Sequence, residues 1–438
     1  MTINAAPKIN KRATLSWALW DWAEQPYPTL MQTFIFPVYL TGTVAAGIKN
    51  ADQQLGWATA IAGLLLALIA PVLGRRSDET GRRKLWLLIN TGILVIVTAA
   101  SFFVEPKPEY FLMGLVLYGI GSVIQESAFI NYYAMLKGVT TEKNIGRISG
   151  YAWGLGYVGG IILLLISLVG FVLPDNPWFG IGKENAIHVR TIFLFAAAWI
   201  LVFTIPLLLW VPEIAKKAGA KKESILQSYA GLFNQLKTLR KQAPETFKFL
   251  ISSAVYRDGL AGVFTFGAVL GTLSFGFDTQ SIIFYGIGAN IVAAIGAAIG
   301  GRLDDIVGSR TVILGSLIGL MVSASGVFFF RDYGQITYWV FGLLLTLFVG
   351  PAQASSRTFV ARFTPVGREG EVFGLYQTTG RAISFLSGTM WALSIAAANY
   401  FIGGDKNTIY GIWGLMLILL VGTFLLSRVH PRPAVIDA

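Results

Sequence analysis

Seven ionisable residues stand within long apolar stretches of this 438-residue chain. A charged side chain facing lipid at the middle of a bilayer costs about 2.5–3.5 kcal/mol. Seven would cost on the order of 20 kcal/mol, more than the ~5–15 kcal/mol net stability of a folded domain. We therefore expect them to pair inside a helix bundle or to line a hydrated cavity, where they can bind a solute or carry protons. They are Asp21, Glu24, Glu126, Arg257, Asp258, Arg357 and Arg381.

Asp21 and Glu24 form the first candidate pair. They are three residues apart and would share one face of a helix, and two carboxylates this close can take up and release a proton. The alternative is that Asp21, near the end of its apolar stretch, forms a gating ion pair or reaches interfacial water. Pro26 and Pro28 follow and remove backbone donors. They predict a kink that exposes carbonyls to a solute, or a bend that serves packing alone.

Asp258 directly follows Arg257 in the chain. Neighbours on a helix point about 100° apart, so the two need not pair with each other. Because charges inside membranes usually pair, we expect Asp258 to approach Arg357 or Arg381 in its own half, or Asp21 across the molecule.

Glu126 and Arg357 are candidates for contacting the solute itself. Glu126 lies near the amide of Asn131 and two phenols, a set that can recognise an amine or can simply tie helices together. Arg357 presents a planar fork suited to a carboxylate or phosphate group, and its alternative is a structural pair with Asp258 or Glu126. We assign Gln353, in the same apolar stretch as Arg357, to the same pathway.

The composition is that of a membrane protein. The chain is 54% hydrophobic and only 13% charged, against about 25% charged in soluble domains. It contains no cysteine, which excludes disulfides, thiolate metal sites and cysteine nucleophiles. We expect no cofactor and no metal. The net charge of +11 is spread in short clusters between apolar stretches, which argues against nucleic acid as a partner and for the lipid bilayer.

Apolar stretches of about 20 residues, enough to cross a 30 Å hydrocarbon core, occur twelve times and predict an all-α integral membrane protein. Twelve spans put both chain ends on one side of the membrane, and that side receives 25 of the 34 Lys and Arg residues while the other receives six. The positive-inside rule therefore predicts a multi-pass protein of the cell membrane with both termini cytoplasmic. The stretches are 14–43, 53–74, 85–104, 109–136, 148–173, 190–211, 249–276, 279–301, 311–330, 335–361, 370–402 and 408–427.

One long charged connection divides the chain into a six-helix half at 1–211, a linker at 212–248 and a second six-helix half at 249–438. Within the linker, apolar residues recur at steps of three and four, which favours an amphipathic helix lying on the membrane surface. The alternative is that this stripe packs on the bundle. The stripe is Ile225, Leu226, Tyr229, Leu232, Phe233, Leu236 and Leu239.

An internal repeat relates the two halves at offsets of 224 to 228 residues. A loop motif of glycine, aspartate, glycine and arginine after the second span recurs after the eighth, Gln125-x-Ser127 matches Gln353-x-Ser355, and Gly146 with Gly150 matches Gly370 with Gly374. Two halves of equal orientation are parallel repeats about an axis along the membrane normal. The glycines allow close backbone approach, and the aspartates can sit at a neighbouring helix N-terminus or pair with the following arginines. We assign this motif to gating: Gly74, Asp78, Gly81, Arg82, Arg83, Gly301, Asp305, Gly308 and Arg310.

The stretch from Gly74 to Lys84 resembles the loop signature of the major facilitator superfamily, and departs from it at Glu79. More specific motifs resemble the Unknown Major Facilitator family, which includes vacuolar amino-acid effluxers linked to autophagy. Departures from that pattern are Glu24, where relatives commonly have an amide, and Gln377, where they commonly have an acid. The motifs are Trp17-Ala-Leu-Trp-Asp-Trp-Ala, Phe34-Ile-Phe-Pro, Gly146-Arg-x-Ser-Gly, Tyr256-x-Asp-Gly, Gln353-Ala-x-x-Arg357 and Phe373-Gly-x-Tyr.

The resemblance implies a twelve-helix transporter whose loops latch the cytoplasmic ends together. The absence of H-E-x-x-H, G-x-S-x-G and P-loop motifs argues against a membrane enzyme or a primary pump. We predict a secondary transporter of a small solute, coupled to a proton or another ion, functional as a monomer and working by alternating access. An amino acid or similar zwitterion suits the mixed acid and arginine residues, with efflux as a possible direction. The alternative is a transport-inactive receptor or scaffold.

Overall fold

The computed structural model describes residues 10–49, 51–213, 237–277, 279–364, 367–403 and 407–430. Within these ranges the chain is almost entirely helical and contains no β-strand. The predicted surface helix falls mainly on residues 214–236, outside the described residues. Of its stripe only Leu239 is described, and it is buried in a short helix at 237–242.

The first six spans are numbered α1 to α6. α1 is α-helical over Lys11–Glu24 and continues through π-helical segments at Tyr27–Phe34 and Tyr39–Val44. The first π-helical segment begins directly after Pro26, where the sequence predicts a kink. At the end of this segment the amide of Ile35 donates to the carbonyl of Leu30, five residues earlier. The others are α2 Ala51–Thr80, α3 Arg83–Ala100, α4 Phe111–Ala134, α5 Ile145–Ser167 and α6 Ile187–Trp210.

The last six spans are numbered α7 to α12. α11 is discontinuous, with a break at residues 383–385 between Glu369–Ala382 and Leu386–Ile402. α10 comprises Leu343–Phe363 and is preceded by a π-helical turn at Tyr338–Gly342. The others are α7 Pro244–Phe275, α8 Thr279–Val307, α9 Ser309–Phe329 and α12 Gly411–Ser427.

Length and hydropathy agree with the predicted spans. Among the described residues ten helices are long and apolar enough to cross a membrane, and the bent helix α7 is an eleventh. α1 completes the set once its α- and π-helical parts are taken as one span. The predicted twelve-helix membrane fold is therefore confirmed.

The first six helices meet the last six mainly through two helix pairs, α2 with α11 and α5 with α8. Both contacts depend on glycine. A Cβ atom on Gly74 would overlap the backbone of Gly370, and one on Gly150 would lie 2.8 Å from the Cα of Gly301. Such close helix contact is possible only for residues without a side chain. These contacts lie on the side of the bundle that carries both chain ends, here called the termini side.

Candidate functional site

A buried ion pair joins the two halves at the centre of the bundle. Nη1 of Arg357 in α10 lies 3.0 Å from Oδ2 of Asp21 in α1, and the two residues are 1% and 4% exposed. The same guanidinium donates to the hydroxyl (2.9 Å) and the carbonyl (2.6 Å) of Ser149 in α5. Arg357 therefore holds three helices together. Of the partners proposed for it, neither Asp258 nor Glu126 is used.

Four aromatic rings surround this guanidinium. Their centroids lie 5.0–5.6 Å from the central carbon of Arg357. Cation–π contacts of this kind contribute up to ~2 kcal/mol each when desolvated, so the rings offset part of the cost of burying the charge. They also exclude water from the ion pair. The rings belong to Trp17, Tyr132, Tyr133 and Trp153.

Glu24 lies one turn beyond Asp21 on α1 and is 2% exposed. It accepts hydrogen bonds from the side-chain amides of Gln125 (2.8 Å) and Gln25 (3.0 Å). Within the described ranges no cation lies within ion-pair distance of Glu24, whereas Asp21 is paired with Arg357. Burying an uncompensated carboxylate costs several kcal/mol. Glu24 is therefore the acid of the central cluster that gains most from binding a proton.

Glu126 of α4 contacts α11 of the other half. Its carboxylate forms an ion pair with Arg381 and accepts a hydrogen bond of 2.7 Å from the amide of Gln377. Gln377 in turn accepts a hydrogen bond of 2.9 Å from Arg257 through its side-chain oxygen. One amide thus bridges a carboxylate on α4 and a guanidinium on α7. Its nitrogen donates to the carboxylate, and its oxygen accepts from the guanidinium.

Arg257 has no carboxylate within ion-pair distance among the described residues. It donates to the carbonyl of Tyr376 at 3.1 Å and to Gln377, and its guanidinium lies 3.8 Å from the centroid of the Tyr376 ring. All these partners are neutral. Arg257 is half-buried and carries its charge without a counter-ion from the protein.

Asp258 does not approach Arg357, Arg381 or Asp21, contrary to the prediction. Its carboxylate accepts hydrogen bonds from the backbone amide (2.6 Å) and the hydroxyl (3.1 Å) of Ser387. Ser387 lies in the first turn of the second part of α11, where backbone amides lack partners within the helix. Asp258 therefore caps the helix that begins after the break.

The two remaining pathway residues lie apart from the ion pairs. Asn131 is 1% exposed, and its side-chain oxygen has no hydrogen-bond partner within the described part of the chain. Gln353 of α10 accepts a hydrogen bond of 3.0 Å from Tyr157 of α5. Because Glu126 is bound by Arg381 and Gln377, the expected grouping of Glu126 with Asn131 does not form.

Above this polar layer, away from the termini side, lies an apolar chamber of about 370 Å³. Along α10 its lining residue Thr346 precedes Arg357 by eleven residues, about 16 Å along the helix axis. Phe266 and Trp391 stack at 4.5 Å on its wall, and Thr29 and Asn290 are among its few polar lining residues. A smaller cavity of about 140 Å³ is lined by Glu126, Arg381, Gln32 and Ser122.

The first gating motif closes the termini side against α11. Asp78 accepts hydrogen bonds from the backbone amides of Gly370 (2.9 Å) and Glu371 (2.8 Å), in the first turn of α11. Arg83 lies between Asp78 (2.5 Å) and Glu369 (2.7 Å) and binds both carboxylates. Gly81 ends α2 with a φ of +63°, a conformation that favours glycine. Arg82 is exposed and makes no such contact.

The second motif repeats this arrangement against α5. Asp305 accepts from the backbone amides of Gly146 (2.7 Å) and Arg147 (2.9 Å), in the first turn of α5. Gly308 precedes α9 with a φ of +85°. The arginine of the motif makes a different contact in this copy. Arg310 donates to the carbonyl of Ser427 at the end of α12. Its place beside the aspartates is taken by Arg362, which pairs with both Asp304 and Asp305.

A lysine adds a third contact between the halves on this side. The ammonium group of Lys137, in the short helix after α4, donates to the carbonyl of Thr364 at the end of α10 (2.9 Å). Burial lowers the pKa of Lys137, while the carboxylates of Glu369 and Glu142 act in the opposite direction. The halves are thus closed on the termini side in this structure.

Sequence reasoning missed several residues of these networks. Ser149 binds Arg357, Gln377 and Tyr376 bind Arg257, and Glu369 completes the first gating motif. Gln377 was visible only as a departure from the family pattern. Ser149 and Tyr376 stand in the family motifs quoted above, but those motifs did not indicate which residues they bind, because the partners depend on how the helices pack.

Comparison with known proteins places these features in a family. The family model described as "Vacuole effluxer Atg22 like" matches residues 48–435. An uncharacterized MFS-type transporter, YxiO of Bacillus subtilis, is 26% identical over 94% of both chains. Autophagy-related protein 22-1 of Neosartorya fischeri is 21% identical over 54% of this chain, and the aligned part covers 41% of that protein.

Solved structures support the same fold. The human organic anion transporter MFSD10 is 16% identical and aligns with a TM-score of 0.69, covering 96% of this chain and 100% of its own. FucP in its outward conformation is 14% identical, with a TM-score of 0.69 and coverage of 96% and 99%. The fold and the family are those of transporters and not of enzymes. The family match over most of the chain, the twelve-helix fold and the two gating motifs agree, and the chain belongs to the Atg22-like vacuole effluxer family of the major facilitator superfamily.

Proposed function

We propose that this transporter moves a small organic solute by alternating access of two six-helix halves, in exchange for or together with protons. Support comes from the bonds that cross between the halves at the centre and on the termini side, all of which have to break if that side opens. The distribution of Lys and Arg supports an orientation with the termini side in the cytoplasm. The structure then corresponds to a state closed to the cytoplasm.

The observation that carries the proton coupling is that Glu24 has no cation within ion-pair distance in the part of the chain that the structure describes. It is repelled by two further carboxylates, Asp21 on its own helix and Glu126 on α4, and each of those two acids is paired with an arginine. Protonation removes the cost of the uncompensated charge, and opening of the cavity restores water around the carboxylate. Glu24 thus alternates between a protonated form in the closed site and an ionised form in the hydrated one.

Transport by purified protein in proteoliposomes tests this proposal. Uptake of amino acids and other small organic solutes is measured with and without an imposed pH gradient, for the wild type and Glu24→Gln. The glutamine oxygen keeps one of the two hydrogen bonds that Glu24 accepts, and the side chain cannot release a proton. We therefore expect gradient-driven accumulation to fall at least tenfold while solute exchange at equal pH persists. Glu105→Gln, at a partly exposed acid between α3 and α4 and far from the centre, is the matched control.

Two results would contradict the proposal. If Glu24→Gln accumulates solute under the pH gradient as the wild type does, Glu24 carries no coupling proton. If no solute of the panel crosses the membrane by exchange or by net uptake, the fold serves as a receptor or scaffold.

A further inference from the structure

The arginines near the middle of the described spans differ in one respect. Arg357 is paired with Asp21 and Arg381 with Glu126, whereas Arg257 has only neutral partners. An arginine cannot discard its charge by losing a proton, and burying an unpaired cation costs several kcal/mol. An anion supplied from outside the protein would remove that cost.

Gln377 lies beside Arg257, at the place where an acidic side chain of the protein would neutralise the guanidinium. Its side-chain oxygen accepts from Arg257 at 2.9 Å, and its nitrogen donates to Glu126 at 2.7 Å. An amide therefore satisfies one donor of the guanidinium without neutralising it. The tyrosine ring 3.8 Å away holds the planar group in place and leaves its charge in effect.

One edge of the apolar chamber, at Phe264, lies on the face of α7 that carries Arg257, whereas Val263, Phe266 and Leu270 line the chamber from other faces of the helix. Phe264 lines the chamber and follows Arg257 by seven residues, two helical turns or about 10 Å along the axis. Residues seven apart lie on one side of a helix. At about 370 Å³ the chamber falls within the size range of small-molecule sites, and its walls are mainly aliphatic and aromatic.

We infer that the transported solute is an amphipathic organic anion whose acidic group binds Arg257 and whose apolar body fills the chamber. This inference rests on the proposed transport function and narrows its substrate class. The mainly apolar walls disfavour strongly polar solutes such as sugars, because their hydroxyl groups would lose water without gaining partners.

Binding to the purified protein tests the inference with one matched set of probes. The set is 3-phenylpropanoate, its neutral amide 3-phenylpropanamide, the corresponding amine, and acetate as an anion without an apolar body. Affinities are measured by calorimetry and by the shift in melting temperature. A hydrogen-bonded charge pair contributes about 1.5–3 kcal/mol, so we expect the carboxylate to bind about ten- to a hundredfold more tightly than the amide. Acetate should bind more weakly than 3-phenylpropanoate.

Variants assign the preference to Arg257. Arg257→Gln should remove the advantage of the carboxylate over the amide while the amide still binds. Arg240→Gln, with an exposed side chain in the short helix at 237–242, is the control and should leave both affinities unchanged.

The inference is overturned if neither anion binds, if the amide binds as tightly as the carboxylate, or if Arg257→Gln keeps the preference. Transport assays separate this failure from failure of the proposed function. Flux of neutral or cationic solutes without anion preference would leave the transporter proposal standing and remove only this substrate class. Absence of flux for every solute would remove the transport function itself.

Discussion

At the scale of single residues, the charges at the centre differ in how they are compensated. Asp21 and Arg357 form one ion pair, Glu126 and Arg381 form a second, and Glu24 has no cation within ion-pair distance among the described residues. Removing one partner of a buried pair leaves the other charge uncompensated and costs about 3–5 kcal/mol, which is more than the pair itself contributes to stability. A single substitution therefore does not measure the strength of a pair, and both partners must also be changed together.

We predict that Asp21→Asn and Arg357→Gln each lower the melting temperature of the purified protein by several degrees, and that the double variant is less destabilised than the two changes added together. Thermal unfolding of the three variants and the wild type gives the coupling between the two residues. Asp332→Asn serves as control because its pair with Arg331 is exposed and long, at 4.0 Å. Additive effects of the two single changes would show that the ion pair does not link α1 to α10.

At the scale of elements, α11 departs from a simple span because it breaks between its two parts. Residues 383–385 contain no glycine or proline, the residues that commonly signal a break. The new helix start is instead stabilised by Asp258 of α7, 129 positions away from its partner Ser387. This explains why the apolar stretch at 370–402 was predictable but the role of Asp258 was not.

We predict that Asp258→Asn folds and transports nearly as the wild type does, since its amide oxygen can still accept from the backbone of Ser387. Asp258→Ala should lower stability by about 1–2 kcal/mol, the usual effect of losing a helix cap. Melting temperature and proteoliposome uptake for both variants test this. A loss of pH-gradient coupling in Asp258→Asn would show that the residue carries a proton and is more than a cap.

At the scale of the whole molecule, the sequence repeat becomes a repeat of contacts. Asp78 caps α11 and Asp305 caps α5, so that each half closes the termini side with one aspartate on a helix of the other half. The spans and this pair of roles were predictable, because length, hydropathy and an internal offset are local properties of the chain. The exchange of Arg310 for Arg362 beside Asp305 was not, because it depends on how α10 packs.

The last prediction follows from this two-fold arrangement. We call the contacts of Asp78 with α11 and of Asp305 with α5 the two latches. If the halves move as rigid bodies, both latches favour the state closed on the termini side over the open state. Their contributions to the free energy of opening should then add, because they share no partner. Asp78→Asn and Asp305→Asn should each raise the ratio of molecules open to molecules closed on the termini side, and the double variant should raise that ratio by the product of the two factors. Pulsed electron paramagnetic resonance measures the distance between spin labels on cysteines introduced at the exposed positions Arg82 and Ile306, and so gives the ratio of open to closed molecules. The natural chain offers no competing cysteine. Glu105→Gln on the opposite side is the control. A double variant no more open than either single one would mean that the latches do not act on a common motion of the two halves.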